Sequence, residues 1–122
     1  FIVALFEELL FRGILLKALT DLWGARVGLW VSAALFTVYH IQAQPLHAWG
    51  MLFLAGAYLA CMRTAGIGLW WCILAHGVSD SLVFLGTYGE AIFPWLPPIL
   101  LLMKLGVVIA LYRHVVGKGS NV

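Results

Sequence analysis

Glu7, Glu8 and Arg12 stand inside an otherwise apolar opening stretch, FIVALFEELLFRGILLKAL, while His40, His76 and Asp80 stand in two further apolar stretches. The pairs Glu8/Arg12, Phe36/His40 and His76/Asp80 are each spaced i, i+4, which places both members on one face of a helix. Together these residue types can do hydrolytic chemistry. A carboxylate near a histidine holds and deprotonates a water, and a second polar group stabilises the oxyanion that forms. Each ionised side chain at mid-bilayer costs roughly 2.5 to 3.5 kcal/mol on insertion scales, so two adjacent acids and a base in such surroundings are a functional signal.

The surroundings read as membrane. Hydrophobic residues make up 64% of the 122, charged residues 10%, and mean hydropathy is +1.04, against about 25% charged residues in soluble domains. The net charge of +2, with no basic cluster interleaved with aromatics, excludes a nucleic-acid partner. The length leaves room for about five spans of roughly 20 residues, and apolar runs recur at that spacing: Phe1 to Leu19, Trp23 to Ile41, Leu46 to Met62, Ala65 to Leu85 and Ile92 to Tyr112. The breaks TDLWGAR, QAQP, RTAGIG and GTYGEA read as turns. No run alternates as a strand would, and the runs are too long for barrel strands. The expected fold is therefore all-α, a polytopic transmembrane helix bundle forming a single domain over residues 1–122. The chain enters its first apolar helix at Phe1 without a Met or a charged leader, which predicts a piece of a longer protein lacking earlier spans.

Basic residues orient the bundle. Lys17 and Arg26 flank the first turn, Arg63 the third, and Arg113 and Lys118 follow the last span, so these turns and the C-terminus are expected to be cytoplasmic in a multi-pass protein of the cell (inner) membrane. Counting about 1.5 Å per residue from the cytoplasmic ends then puts Glu7, His40, His76 and Asp80 at similar depths, roughly 16 to 22 Å. Polar residues of three different helices would meet there.

The segments EELLFR (Glu7 to Arg12), FTVYH (Phe36 to His40) and HGVSD (His76 to Asp80) closely resemble the EExxxR, FxxxH and HxxxN/D signatures of the CPBP family of intramembrane glutamic proteases. That family includes CAAX prenyl endopeptidases and bacteriocin-processing and abortive-infection proteins. All three segments occur in order on separate expected spans, and the resemblance covers nearly the whole chain. It implies that Glu7 activates the water with His40 as its partner, that His76 and Asp80 shape an oxyanion site, and that Glu8 pairs with Arg12 to orient the motif, with Phe36 in support. It also implies about three further N-terminal spans. Asp80 departs from the Asn of the prenyl endopeptidase branch, because an ionised carboxylate cannot donate a hydrogen bond to an oxyanion. It could orient His76 instead, or donate as a protonated acid.

The remaining polar and special residues read as structural. His47 and His114 belong at the membrane edge, Lys104 snorkels or neutralises an acid such as Asp80, and the tryptophans form an interfacial belt. Gly66, Gly68, Gly77 and Gly86 read as packing positions, and Pro94, Pro97 and Pro98 fix the start of the last helix. Cys61 and Cys72 form neither a disulfide framework nor a metal-binding pattern.

The leading reading is an intramembrane endopeptidase that hydrolyses a peptide bond with a glutamate-activated water and no cofactor, since no nucleophile elbow or Ser/Lys dyad points to an acyl-enzyme. Its partners would be the lipid bilayer and a peptide or membrane-protein substrate, with prenylated CAAX ends, bacteriocin leaders and membrane segments all open. Two rivals stay open. Glu7, His40 and His76 could ligate a catalytic zinc, although no HExxH helix is present, or the chain could be a non-catalytic immunity or scaffold protein with a polar cavity.

Overall fold

Long apolar runs with proline confined to their edges satisfy their backbone groups locally by coiling, and every regular element among the described residues is helical. The structure, a computed structural model, describes residues 1–88 and 95–118. Helix α1 (Ile2–Glu8) continues through a π-helical segment (Leu9–Leu15) into α2 (Leu16–His40); a 3-10 turn (Leu46–Ala48) leads to α3 (Trp49–Thr64), followed by α4 (Leu69–Tyr88) and α5 (Leu96–Lys118). Pro97 and Pro98 lie in the first turn of α5, where a missing N–H costs nothing. The expected turn around Glu90 and Ala91, Pro94 and the tail at Asn121 lie outside the described residues.

The first expected turn, TDLWGAR, is a sharp bend rather than a loop. Helical residues continue on both sides of Gly24, which alone adopts φ 80° and ψ 162°. A residue with a Cβ avoids that conformation. The two arms of α2 then touch: a Cβ added to Gly28 would lie 2.8 Å from the Thr20 amide nitrogen. Gly66, at φ 97°, ends the turn after α3 in the same left-handed region, while the Ile67 amide bonds back to the Met62 carbonyl at 3.0 Å.

The core lies where α2, α3 and α5 meet, around Leu16, Leu29, Ala33, Ala57, Ala60, Cys61 and Val108. Small residues let α2 and α3 approach so closely that a Cβ on Gly56 would sit 3.2 Å from both the Cα and the carbonyl oxygen of Ala33. Cys61 and Cys72 are buried free thiols. The polarity is inverted relative to a soluble domain. Glu7, Glu8, Arg12, Ser32, His76 and Lys104 are buried, whereas Phe6, Ile14, Leu22, Trp70, Phe84 and Leu102 are exposed.

Among the described residues one helix, Pro97–Gly117, is long and apolar enough to cross a membrane, with a mean hydropathy of 2.0. The continuous stretch from α1 into the start of α2 carries Glu7, Glu8, Arg12 and Lys17, and α3 is only 16 residues long.

Candidate functional site

Successive residues of a helix point about 100° apart, so Glu7 and Glu8 at the end of α1 aim at different neighbours. Glu8 is fully buried and faces Arg12, whose Nη1 donates to Glu8 Oε1 at 2.8 Å. The second guanidinium arm of Arg12 donates to the Gly56 carbonyl at 2.9 Å, tying the π-helical segment to α3. The guanidinium also lies 4.6 Å from the centroid of the Phe36 ring, a cation–π arrangement. A π-helical turn directly after two buried acids is the local irregularity often found at functional sites.

Glu7 meets the other nitrogen of the His76 ring that Glu8 holds, and His40 besides. Its Oε1 lies 3.4 Å from His40 Nε2 at the end of α2, and its Oε2 lies 3.7 Å from His76 Nε2 on α4. Glu7 Oε2 is buried without a hydrogen-bond partner among the described residues, so it keeps its accepting capacity.

In both imidazoles Nδ1 carries a hydrogen. His40 Nδ1 is 2.8 Å from the Phe36 carbonyl, and a carbonyl only accepts, so Nδ1 carries the hydrogen and Nε2 is presented to Glu7. His76 Nδ1 is 2.9 Å from Glu8 Oε1, an oxygen already accepting from Arg12, so Nδ1 donates there as well. That leaves His76 Nε2 facing Glu7 and Asp80, the latter at 3.4 Å. Phe36 packs on both rings, with centroid distances of 4.5 Å to His40 and 5.8 Å to His76.

Glu7, His40 and His76 thus converge from three helices within a few ångströms, with Glu8, Arg12 and Phe36 packed behind them. Asp80 stands at the rim with its side chain 60% exposed and its Oδ2 3.4 Å from His76 Nε2. Beside His76 opens a cleft of about 60 Å³, bordered by Phe36, Tyr58, Leu59, His76, Asp80 and Lys104, with room for a few water molecules. His47 and His114 are exposed. Among the described residues no group of three or more His, Cys, Asp or Glu side chains is arranged to hold a metal ion.

Two contacts were not legible in the sequence. Gly56 as the acceptor of Arg12 carries no motif, and its sole signal is the run of small residues in LAGAYLA. The Glu8–His76 contact joins residues 68 positions apart, and the spacing of Glu8 and Arg12 had already given Glu8 a sufficient partner.

Neither a curated protein nor a solved structure matches the chain. The family model of the type II CAAX prenyl endopeptidases, Rce1-like, matches residues 1–82, a stretch that contains Glu7, Glu8, Arg12, Phe36, His40, His76 and Asp80. The chain belongs to the type II CAAX prenyl endopeptidase Rce1-like family.

Proposed function

We propose that this chain is the catalytic core of an intramembrane endopeptidase in which Glu7 and His40 activate a water for attack on a peptide carbonyl. The observation that carries this reading is the placement of one buried carboxylate between two histidines of other helices, at 3.4 Å and 3.7 Å. Family membership supports a peptide or protein substrate, and we take the prenylated CAAX end as its class.

In this mechanism a water sits beside the Glu7 carboxylate and His40 Nε2, within hydrogen-bond reach of both. Glu7 takes one proton as the water oxygen bonds to the scissile carbonyl carbon, and the carbonyl electron pair moves onto oxygen. The Nε2 of His76, when protonated, donates to that oxyanion, and its ring is held in place through Nδ1 by Glu8. Glu7 then passes its proton to the departing nitrogen as the C–N bond breaks, leaving a carboxyl end and an amine. Asp80 orients His76 from the rim.

The inverted polarity supports a multi-pass arrangement of about five spans acting as one domain, with an apolar exterior in lipid and the charges enclosed. The basic turns favour an inner-membrane protein with a cytoplasmic C-terminus.

The test is hydrolysis of a prenylated CAAX peptide by purified full chain in detergent or nanodiscs. Glu7→Gln keeps the size and most hydrogen bonding but removes the base, so the rate is expected to fall by about 100-fold or more while the protein stays folded. Full activity in that variant defeats the mechanism, and no cleavage by the wild type across a broad peptide library favours the scaffold alternative.

A further inference from the structure

Lys104 is the buried charge that this mechanism does not use. It is 8% exposed on α5, and the acid whose charge acts on it is Asp80 of α4, which borders the same cleft. The two come from different helices. A buried ammonium in an apolar helix is retained where it meets an opposite charge, and here that charge stands with its Oδ2 3.4 Å from His76 Nε2. Tyr58, Ser79 and His76 add polar groups to the cleft, whose volume of about 60 Å³ takes a few waters rather than a substrate residue.

The charges around His76 pair off. Among the described residues Glu7 and Glu8 reach its ring from α1, and Asp80 reaches it from α4. Glu8 is matched by Arg12 at 2.8 Å, and Glu7 becomes neutral when it takes the proton of the attacking water. Asp80 then remains, next to the nitrogen that meets the oxyanion. Two negative charges a few ångströms apart in a partly enclosed site repel strongly, so an unmatched Asp80 would cancel part of what His76 supplies. We infer that Lys104 is a positioning residue that acts through Asp80: it matches the Asp80 carboxylate, so that the negative charge of the tetrahedral intermediate forms beside His76 Nε2 in an electrically balanced cleft. This rests on the endopeptidase reading and deepens it by giving α5 a part in the site.

The test measures binding without turnover, in the full chain carrying Glu7→Gln, which also stands for Glu7 once it has taken its proton. Two fluorescent ligands are compared: a farnesylated peptide ending Cys-Val-Ile-Met, and the same peptide with its Cys–Val amide replaced by an anionic phosphinate that copies the tetrahedral intermediate. Lys104→Met, with Lys104→Gln as a second neutral variant, should weaken phosphinate binding by about 10-fold and leave the amide peptide within about 2-fold, while Lys104→Arg keeps both affinities. With Asp80→Asn already present, Lys104→Met should change phosphinate affinity by less than about 2-fold, because no unmatched carboxylate is left. Equal loss of phosphinate binding in the two backgrounds overturns the inference, since the ammonium would then act on the oxyanion itself. Equal loss of both ligands overturns it as well, because Lys104 would then only shape the fold. So does an unchanged phosphinate affinity in Lys104→Met, or a parent that binds the phosphinate no better than the amide. The expected pattern in a protein whose wild type never cleaves would keep the charge pair and defeat the protease reading alone.

Discussion

Glu8 Oε1 accepts from His76 Nδ1 at 2.9 Å, so a carboxylate on the first helix sets the ring orientation of a histidine on the fourth. The same oxygen accepts from Arg12 at 2.8 Å. Arg12 is anchored in turn on the Gly56 carbonyl, and the ion pair thereby works as a bracket for the imidazole as well as a structural clasp.

Glu8→Gln is therefore expected to have two effects. It leaves Arg12 charged and unpaired in the interior, a penalty of about 3 to 5 kcal/mol when one member of a buried pair is removed. It also replaces an acceptor-only group with an amide that can turn its NH2 toward His76, which should lower kcat by about 10-fold or more with little change in KM. Thermal unfolding in detergent measures the first effect and initial rates of the folded fraction measure the second. A variant that unfolds earlier yet keeps the wild-type kcat would confine Glu8 to a structural role.

His40→Ala removes the group that shares the water with Glu7, and hydrolysis should fall by about 100-fold. A tight zinc chelator should leave the wild-type rate unchanged if carboxylate and imidazole act unaided, whereas a zinc enzyme would lose activity and regain it on metal addition. Rates measured before chelation, after it and after zinc is returned separate the two chemistries.

Much of this arrangement was legible in the sequence because charges and histidines are rare in apolar runs and their i, i+4 spacing fixes their faces. The helices were legible for the same reason, and the break at TDLWGAR was placed correctly as a region. Its form was not. Only the backbone of Gly24 shows that the helix bends within one residue, since a lone glycine in TDLWGAR fits a loop equally well. Lys104 was visible as an oddity, but whether it faced lipid, Asp80 or a cleft depends on the rotation of α5, which a helix apolar on all sides does not specify.

Gly56→Ala tests the close approach of α2 and α3. The added Cβ would stand 3.2 Å from the backbone of Ala33 and 3.3 Å from Phe36 Cδ1, and backbone atoms cannot turn aside as a flexible side chain can. Overpacking of this kind typically costs about 1 to 3 kcal/mol, and here it also displaces the acceptor of Arg12 and the ring that packs on both histidines. Gly50→Ala is the control, since a Cβ there meets nothing within 4 Å. The expected outcome is a lowered unfolding temperature and reduced activity for Gly56→Ala only. Equal behaviour of the two variants would show that the helices can separate freely at this point.

Topology gives the final expectation. Arg26, just after the bend at Gly24, donates to the Val116 carbonyl near the end of α5 at 3.0 Å, which places the first turn and the end of the last helix at the same side of the bundle. That side is the one to which the positive-inside reading of Lys17, Arg26, Arg63 and Arg113 assigns the cytoplasm. In a background with Cys61 and Cys72 replaced by alanine, Asp21→Cys, Ala65→Cys and His114→Cys should react with an impermeant thiol reagent only when the cytoplasmic side is open. Ala43→Cys, in the turn without basic residues, should react from the opposite side. Labelling of Ala43→Cys and His114→Cys from one and the same side would show that the number of crossings between them is even, and the proposed odd count of spans from residue 43 onward would fall.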